Sequence, residues 1–339
     1  MRRHRWLPLT SLALFLAAWA VIAGWVAPAP AAAQNAAGKL VVTFVGLPEQ
    51  HGLAIVVQTP AGRTYLYDAG SKGKTYDAGR DTIGPLLKAR GVRQIAGMVL
   101  SHPHADHSGG APWLLDNFPV KCLVDSGFEG RGQSDAYRAI RRQAQDRGAK
   151  YVVVHAGDHL SWDKALDVEV LSPPKEFLLL DADPAKVSEH SVLNNNSLVL
   201  RIQHGKNVFL FPGDVYGSEF SYLLKNWKAD KLRANVLCAP HHGFNETPAY
   251  AAMIKPEVVF CACLAHYDKS EVPSPGDLAT KVFGPVGAKV YTMAWHGTVQ
   301  ITSDGRTLKV TTERSPSSAD KASSPNKRPA TRPEASSVP

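Results

Sequence analysis

The patterned part of the chain begins near residue 38 with short apolar runs that are rich in β-branched and aromatic residues. Runs of this length, bounded by turn-forming residues, are typical of strands that are buried on at least one face. Only a short turn at Ala61 and Gly62 separates the second run from the third, so we predict that the sheet opens with antiparallel neighbours. The runs are KLVVTFVGL (39–47), GLAIVVQTP (52–60) and RTYLYDAG (63–70).

From about residue 80 the pattern changes, because segments with a helical spacing of apolar residues now alternate with strand-like runs. Ser134 stands directly before one such segment as a suitable N-cap. Two β-rich parts with helices between their strands predict an α/β fold, in which two sheets face each other with helices outside. Helices are predicted at 82–90, 107–118, 134–149, 218–232, 247–255 and 277–283. Strands are predicted at 95–102, 121–127, 150–157, 166–173, 197–204, 207–214, 235–243 and 257–266, with a closing hairpin at 289–313.

The N-terminal residues are set apart by an uncharged apolar run from Leu7 to Val26 behind a basic start, MRRHR. This arrangement is typical of an export signal. Small residues at Ala31 and Ala33 favour cleavage before Gln34, although the run is also long enough to remain as a membrane anchor. We therefore predict residues 1–33 to be a signal peptide or anchor, and the protein to be periplasmic, secreted or anchored outside the cytoplasm. No stable membrane partner beyond that possible anchor is expected.

Residues 314–339 consist mainly of Ser, Pro, Ala, Lys and Arg, and we predict a disordered basic tail. The stretch between the two ends, 38–312, is long enough for one large domain. The formal net charge is +8, but three of these charges lie in the signal and two in the tail, which leaves +3. This small positive net charge is compatible with an anionic small-molecule or polymer substrate. It is too small to be the basic surface of a dedicated nucleic-acid binder.

The four cysteines allow two interpretations. Cys122, Cys238, Cys261 and Cys263 would be able to form disulfides in an oxidising compartment. Their spacing is not that of a zinc finger. Cys261 and Cys263 alternate on one predicted strand and so share a face, which favours buried free thiols.

The candidate functional residues stand where predicted strands stop, which is where α/β proteins place their ligands. The stretches are SHPHADH (101–107), FPGD (211–214), APHHG (239–243) and AWHG (294–297).

The first of these stretches is the densest. His102 and His104 are two positions apart in an extended segment and point to one side, whereas Asp106 and His107 arrive after the turn from the other. Imidazole and carboxylate groups are the ligands that zinc and its first-row relatives prefer, and this arrangement can hold two cations. A polar turn is the alternative, but three histidines and an aspartate within six positions favour metal.

The motif H-x-H-x-D-H after a strand resembles the signature of the metallo-β-lactamase superfamily. Further stretches resemble, in the same order, the extracellular hydrolase domain of ComEC-type competence proteins and their free-standing relatives. The likeness covers roughly residues 38–312 and implies a four-layer αββα metallo-β-lactamase sandwich. The stretches are TPAGRTYLYDAG (59–70), VLSHPHADHSGG (99–110), NNNSLVLRI (194–202), FLFPGD (209–214), LCAPHHGF (237–244) and HGTVQI (296–301).

The resemblance implies a role for each matching residue in a site for two divalent ions, Zn or Mn. His102 and His104 would bind one ion, Asp106 and His107 the other, and Asp214 would bridge both.

Two further positions are left with alternatives. One of His241 and His242 would complete the second site, and we favour His241, while the remaining histidine would contact substrate or cap a helix. Asp68 would orient a ligand histidine, or it is a plain turn residue.

Two stretches depart from the superfamily pattern. Many members have another histidine ahead of the bridging Asp, where this chain has Asn194 or Asn196, in agreement with the ComEC branch. We therefore expect weak binding at the first site. His190 is able to substitute for the missing ligand, but we favour an exposed loop residue at that position. The other departure is FVGLPEQHG (44–52), which replaces a DVGQGD-like turn.

The predicted reaction is hydrolysis by a hydroxide held between two cations, which also stabilise the oxygens of the attacked centre. No protein nucleophile is needed, and the chain has no G-x-S-x-G, P-loop or G-x-G-x-x-G motif. Asp106 and Asp214 would act with the metals, and His296 or the free member of the histidine pair would protonate the leaving group. The expected substrate is a phosphodiester in nucleic acid or an envelope component. The alternatives are a lactam, lactone or thioester, or a non-catalytic surface binding module.

Overall fold

The computed structural model describes residues 38–48, 52–131, 134–244, 246–263 and 275–315. The signal or anchor predicted at 1–33, and all but the first two residues of the predicted tail, lie outside these ranges. Among the described residues, no helix has the length and apolar character needed to cross a membrane.

Fourteen strands and ten α-helices are found in the described ranges. The strands are β1 Leu40–Phe44, β2 Ile55–Gln58, β3 Thr64–Tyr67, β4 Gly97–Val99, β5 Cys122–Asp125, β6 Lys150–Val153, β7 Leu166–Ser172, β8 Val199–His204, β9 Asn207–Phe211, β10 Val236–Cys238, β11 Val258–Cys261, β12 Lys289–Thr292, β13 Val299–Ser303 and β14 Leu308–Thr312. The helices are α1 Gly84–Ala89, α2 Ala105–Ser108, α3 Ala111–Asn117, α4 Asp135–Asp146, α5 Glu189–Asn194, α6 Ser218–Asn226, α7 Ala229–Leu232, α8 Pro248–Ile254, α9 Pro275–Phe283 and α10 Met293–His296. A π-helical turn at Gly79–Ile83 precedes α1.

The strands form two sheets. The first has the order β14-β13-β1-β2-β3-β4-β5-β6, and the second the order β12-β11-β10-β9-β8-β7. The first three strands pair antiparallel, which confirms the predicted opening. From β3 to β6 the pairing is parallel, and the same change occurs in the second sheet, where β9 to β12 are parallel. Parallel neighbours bring their carboxyl ends to one edge of each sheet.

The two sheets pack face to face through a core of aromatic side chains. Phe44 of β1 stacks on Phe260 of β11 with 4.6 Å between ring centroids, and it meets Phe211 of β9 edge-on at 6.0 Å. A second apolar cluster joins the outer face of the second sheet to Leu223 of α6 and Phe283 of α9. With helices such as α4 on the first sheet, the fold is the four-layer αββα sandwich.

We expect Phe44→Ala to lower the free energy of unfolding by about 3–5 kcal/mol, because it removes a fully buried ring at the centre of this inter-sheet core. Chemical denaturation followed by circular dichroism would measure the change. The matched truncation Leu224→Ala, at a side chain that is 51% exposed, should shift stability by no more than about 0.5 kcal/mol. Equal losses in the two variants would contradict the assignment of the core.

Most predicted elements are confirmed, including the Ser134 cap, whose hydroxyl accepts a hydrogen bond from the Tyr137 N–H. All four cysteines are thiols, with Cys122 half-buried and the others buried.

Two predictions were wrong. The predicted helix 218–232 ends at Asn226, because Trp227 is extended and its indole N–H donates to the Leu171 carbonyl at 2.8 Å. The segment 289–302 is not one strand of a hairpin: β12 pairs with β11 in the second sheet, α10 turns the chain, and β13 joins the first.

Candidate metal centre

The candidate site lies at the carboxyl ends of strands from both sheets. His102 follows β4, and Asp68 follows its parallel neighbour β3. Asp214 follows β9, and the pair His241–His242 follows β10, again parallel neighbours. The stretches that follow β4, β9 and β10 therefore lie together, and the loop after β3 joins them.

Two glycines let the second half of the histidine motif lie close to neighbouring backbone. A Cβ on Gly110 would lie 2.3 Å from the Ala69 carbonyl oxygen, and one on Gly109 would lie 2.5 Å from the Lys72 nitrogen. Only glycine fits such distances without displacing the backbone. The pair thus fixes α2, which carries Asp106 and His107, against the loop after β3.

Asp68 sets the orientation of His107. Its carboxylate is fully buried, and Oδ2 lies 2.7 Å from His107 Nδ1 while Oδ1 accepts the Ser101 N–H at 2.7 Å. Burial raises the pKa of Asp68, while the contacts with His107 and Ser101 oppose that shift. With Nδ1–H donating to Asp68, Nε2 is the nitrogen left to bind a metal ion or a proton, as the orienting role of Asp68 requires.

Three other side chains converge around that nitrogen. His107 Nε2 lies 3.1 Å from Asp214 Oδ1 and 3.3 Å from His242 Nε2. His242 Nε2 lies 3.0 Å from Asp106 Oδ2 and 3.6 Å from Asp214 Oδ2. We call Asp106, His107, Asp214 and His242 the second ligand group; each offers one ligand atom, and these atoms lie within 4.8 Å of one another.

A first ligand group consists of His102, His104 and Asp214, by the same distance limit of 4.8 Å. His102 Nε2 lies 2.9 Å from His104 Nδ1 and 3.9 Å from Asp214 Oδ2. Burial lowers the pKa of His102 well below its ordinary value, and burial together with His190 lowers the pKa of His104 to about 4. Both imidazoles are therefore neutral near pH 7, the form that binds metals.

The donor set fits metal ions on its own chemistry. Burial opposes charge on His107, yet the carboxylates of Asp214, Asp106 and Asp68 outweigh it and raise its pKa well above the ordinary value. Burial likewise opposes charge on Asp214, but His107 and His242 hold its pKa well below the usual range. Asp214 Oδ1 is buried and faces His107 Nε2 at 3.1 Å. Buried nitrogen and oxygen atoms that face one another at such distances need a cation between them, either a proton or a metal ion, and this mixture of donors suits zinc or a related ion.

The structure favours His242 over His241, because it brings His242 into the second ligand group, and the choice of ligand stays a prediction. Both histidines have left-handed backbone conformations, with φ of 49° and 58°. This turn directs His242 inward, where its side chain is 4% exposed, and leaves His241 stacked on Tyr216 with Nε2 4.0 Å from Asp214 Oδ2.

The two candidate asparagines have different surroundings. Asn196 uses its whole amide to hold backbone, accepting from the Leu178 N–H and donating to the carbonyls of Leu178 and Val192. Asn194 is fully buried, and its amide nitrogen lies 3.3 Å from His190 Nε2. The hydrogen bonds of Asn196 make it a structural clamp of the loop before α5.

His296 is buried at the end of α10. Its Nδ1 accepts the Thr292 N–H at 3.0 Å, and its ring packs edge-on against Tyr291. It is not part of either ligand group, so its role as a proton donor stays a prediction.

Sequence reasoning missed Ser101 and Ser197. Ser101 Oγ donates to Asp68 and lies 3.0 Å from His102 Nδ1, and Ser197 Oγ accepts the Asp214 N–H at 3.2 Å. Ser101 stands next to the first ligand histidine, and this adjacency was the available signal. Ser197 had none, because its partner is remote in sequence.

We expect Asp68→Asn to weaken zinc binding about 10–100-fold, the usual effect of losing a partner that orients a metal ligand. Asn keeps the shape, but either orientation of its amide turns an NH₂ toward the Ser101 N–H or the His107 Nδ1–H. Competition titration against a chromophoric chelator would give the affinity. Asp116→Asn, the same change at an exposed carboxylate, is the control, and equal affinities in both variants would refute the orienting role.

Comparison with known proteins agrees with this geometry. The family model of the metallo-beta-lactamase superfamily matches residues 47–263. The chain is 30% identical over 207 residues to "ComE operon protein 3" of Bacillus subtilis, covering 59% of this chain and 24% of that protein. It is 30% identical over 234 residues to "Competence protein ComA" of Neisseria gonorrhoeae, covering 68% and 28%. The chain thus spans about a quarter of the length of these curated relatives.

Solved structures of similar fold include the metallo-beta-lactamase fold protein YhfI from Bacillus subtilis, at 14% identity and a TM-score of 0.47, covering 75% of this chain and 96% of that one. CmlA, a diiron beta-hydroxylase from Streptomyces venezuelae, has 15% identity and a TM-score of 0.48, covering 77% and 53%. Because the family model matches more than half of the chain, and matches across the histidine motif, Asp214 and His242, this protein belongs to the metallo-beta-lactamase superfamily and resembles its ComEC-type members.

Proposed function

We propose that this protein is a hydrolase that uses two divalent ions, zinc or manganese, to cleave a phosphodiester. The observation that carries the proposal is the position of Asp214, which belongs to both ligand groups. Its Oδ1 faces His107 at 3.1 Å, while its Oδ2 faces His102 at 3.9 Å. A single carboxylate placed between two groups of ligands fits the bridging position of a two-metal site.

In this proposal each ligand group holds one ion, and the two groups share Asp214. Two adjacent cations, when bound, supply an activated water and stabilise the oxygens of an in-line displacement. The protein residues position this chemistry: Asp68 keeps the His107 lone pair on Nε2, and burial keeps His102 and His104 neutral. Asp106, whose side chain is 23% exposed, lies at the solvent side of the second group, where substrate would approach.

The substrate class rests on likeness and on charge. Among the relatives are "Competence protein ComA" and "Recombination protein 2" of Haemophilus influenzae, the latter 25% identical over 209 residues, and these names favour nucleic acid. The mild positive charge of the central region suits a polyanion without indicating a tight binder. A phosphorylated envelope component contains the same phosphodiester bond and is the second candidate substrate to test. Action outside the cytoplasm is proposed from the apolar run in residues 1–33.

The proposal is tested with the full chain, stripped of metal and reloaded with zinc or manganese. We expect turnover of bis(4-nitrophenyl) phosphate, and then of single- or double-stranded DNA, with little or none of nitrocefin or a lactone. A fully loaded protein that leaves every phosphodiester intact would refute the proposal. Preferential opening of the lactam or lactone would move the function to the alternative class. A binding module would instead retain polymer binding in Asp106→Ala.

A further inference from the structure

The two ligand groups are unequal. The second offers four side chains, whereas the first offers His102, His104 and the shared Asp214. Zinc is usually held by three or four protein ligands, and a catalytic ion keeps one position for water. If Asp214 is shared with the second group, the first has only two ligands of its own, so one more neutral donor would complete it.

His190 is close to that group. Its ring stacks on His104 with 4.4 Å between centroids and 25° between planes, and it lies 5.9 Å from the ring of His241. His190 occupies the second position of α5 and is exposed. A histidine on the surface is normally well hydrated, but this one lies against a neutral candidate ligand at the mouth of the site.

Asn194, one turn further along α5, is in contact with the ring of His190. Its amide nitrogen Nδ2 lies 3.3 Å from His190 Nε2, and its fully buried Oδ1 has no hydrogen-bond partner. An amide can turn either its nitrogen or its oxygen toward such a ring. With Oδ1 in that place, Asn194 would accept the His190 Nε2–H and the lone pair would lie on Nδ1, which is the arrangement in which Nδ1 can bind an ion.

Helix α5 is held firmly at this rim. The guanidinium of Arg131 donates to the carbonyls of Leu179, Leu180, Ala182 and Val187 in the preceding loop. The Arg131 N–H donates to Glu189 Oε1 at 2.7 Å, at the first residue of the helix. Tyr216 donates to Ser191 Oγ at 3.0 Å. The backbone of His190 is therefore fixed beside the first ligand group, with its ring on the exposed side of the helix.

We propose that His190, oriented by Asn194, is the additional ligand of the ion held by His102, His104 and Asp214. The ring would reach the ion by turning away from the face of His104 while Nε2 keeps its contact with Asn194, with Nδ1 as the ligand atom. The inference rests on the proposed function to the extent that it requires an ion at the first ligand group.

The test measures zinc binding to the full chain, not catalysis. The parent should bind two zinc ions. His190→Gln should weaken the binding of the ion at the first ligand group at least about tenfold in a chelator competition. His159→Gln is the matched control, since His159 is 57% exposed and pairs with Asp167. His104→Gln is the positive control. A His190→Gln variant that titrates like the parent and His159→Gln would overturn the inference and leave the proposed function standing. A parent that binds no zinc would overturn both.

A second measurement needs no variant. Diethyl pyrocarbonate should modify both His190 and His159 in the metal-free chain, because both are exposed. Zinc should protect His190 and leave His159 reactive, as read by peptide mass spectrometry. Equal modification of His190 with and without two bound zinc ions would refute its role as a ligand.

Discussion

Asp214→Asn is expected to lower the metal-dependent turnover of bis(4-nitrophenyl) phosphate by about a thousandfold or more. The substitution keeps the shape of a side chain that is 3% exposed, but it removes the one negative charge common to both ligand groups. Losing a bridging carboxylate should remove several kcal/mol of transition-state stabilisation, and each 1.4 kcal/mol is about a factor of ten in rate. Steady-state kinetics with zinc and with manganese would measure the loss.

The same variant should lose its thermal stabilisation by zinc. An ion that binds the folded chain at a hundred times its Kd stabilises it by about 2.7 kcal/mol, and the variant should show little of this shift. Asp146→Asn makes the identical chemical change at an exposed position of α4 and should behave as the parent. Retention of both activity and the zinc shift in Asp214→Asn would mean that Asp214 bridges nothing.

The paired substitutions His242→Gln and His241→Gln should separate a ligand from its neighbour. His242 Nε2 contacts both Asp106 and His107, so we expect its loss to weaken zinc binding at least about 100-fold and to reduce turnover in parallel. His241 stacks on Tyr216 outside the ligand group, and its loss should change zinc affinity by less than about tenfold. Zinc competition titration of both variants is the measurement, and the reverse order would contradict the geometry.

The strands and their ends were predicted well from the sequence, because β-branched runs and turn residues are local signals. The group from His102 to His107 was also recognisable, since all its members lie within one turn. Asp214 was different: its partners His102 and His107 lie more than 100 residues away, and only a resemblance joined it to them. Whether residues distant in sequence meet at one site depends on the order of the strands in the sheets. No single stretch of the sequence specifies that order.

The choice between His241 and His242 was beyond sequence reasoning for a backbone reason. Consecutive residues on a strand point to opposite faces, but these two follow β10 in left-handed conformations that histidine rarely adopts. Alternation therefore gave no guide to which ring turns inward. Helix α5 was missed because it is short and polar, and its position depends on the contacts of Arg131 with the preceding loop.

The ligand groups draw on both sheets, and this has a mechanical consequence. His102 and His107 follow a strand of the first sheet, and Asp214 and His242 follow strands of the second. An ion held between them would be a reversible cross-link between the two sheets. It would close a loop of about a hundred residues, much as a disulfide does. Because His and Asp side chains alone form this cross-link, the supply of metal would control whether it is in place.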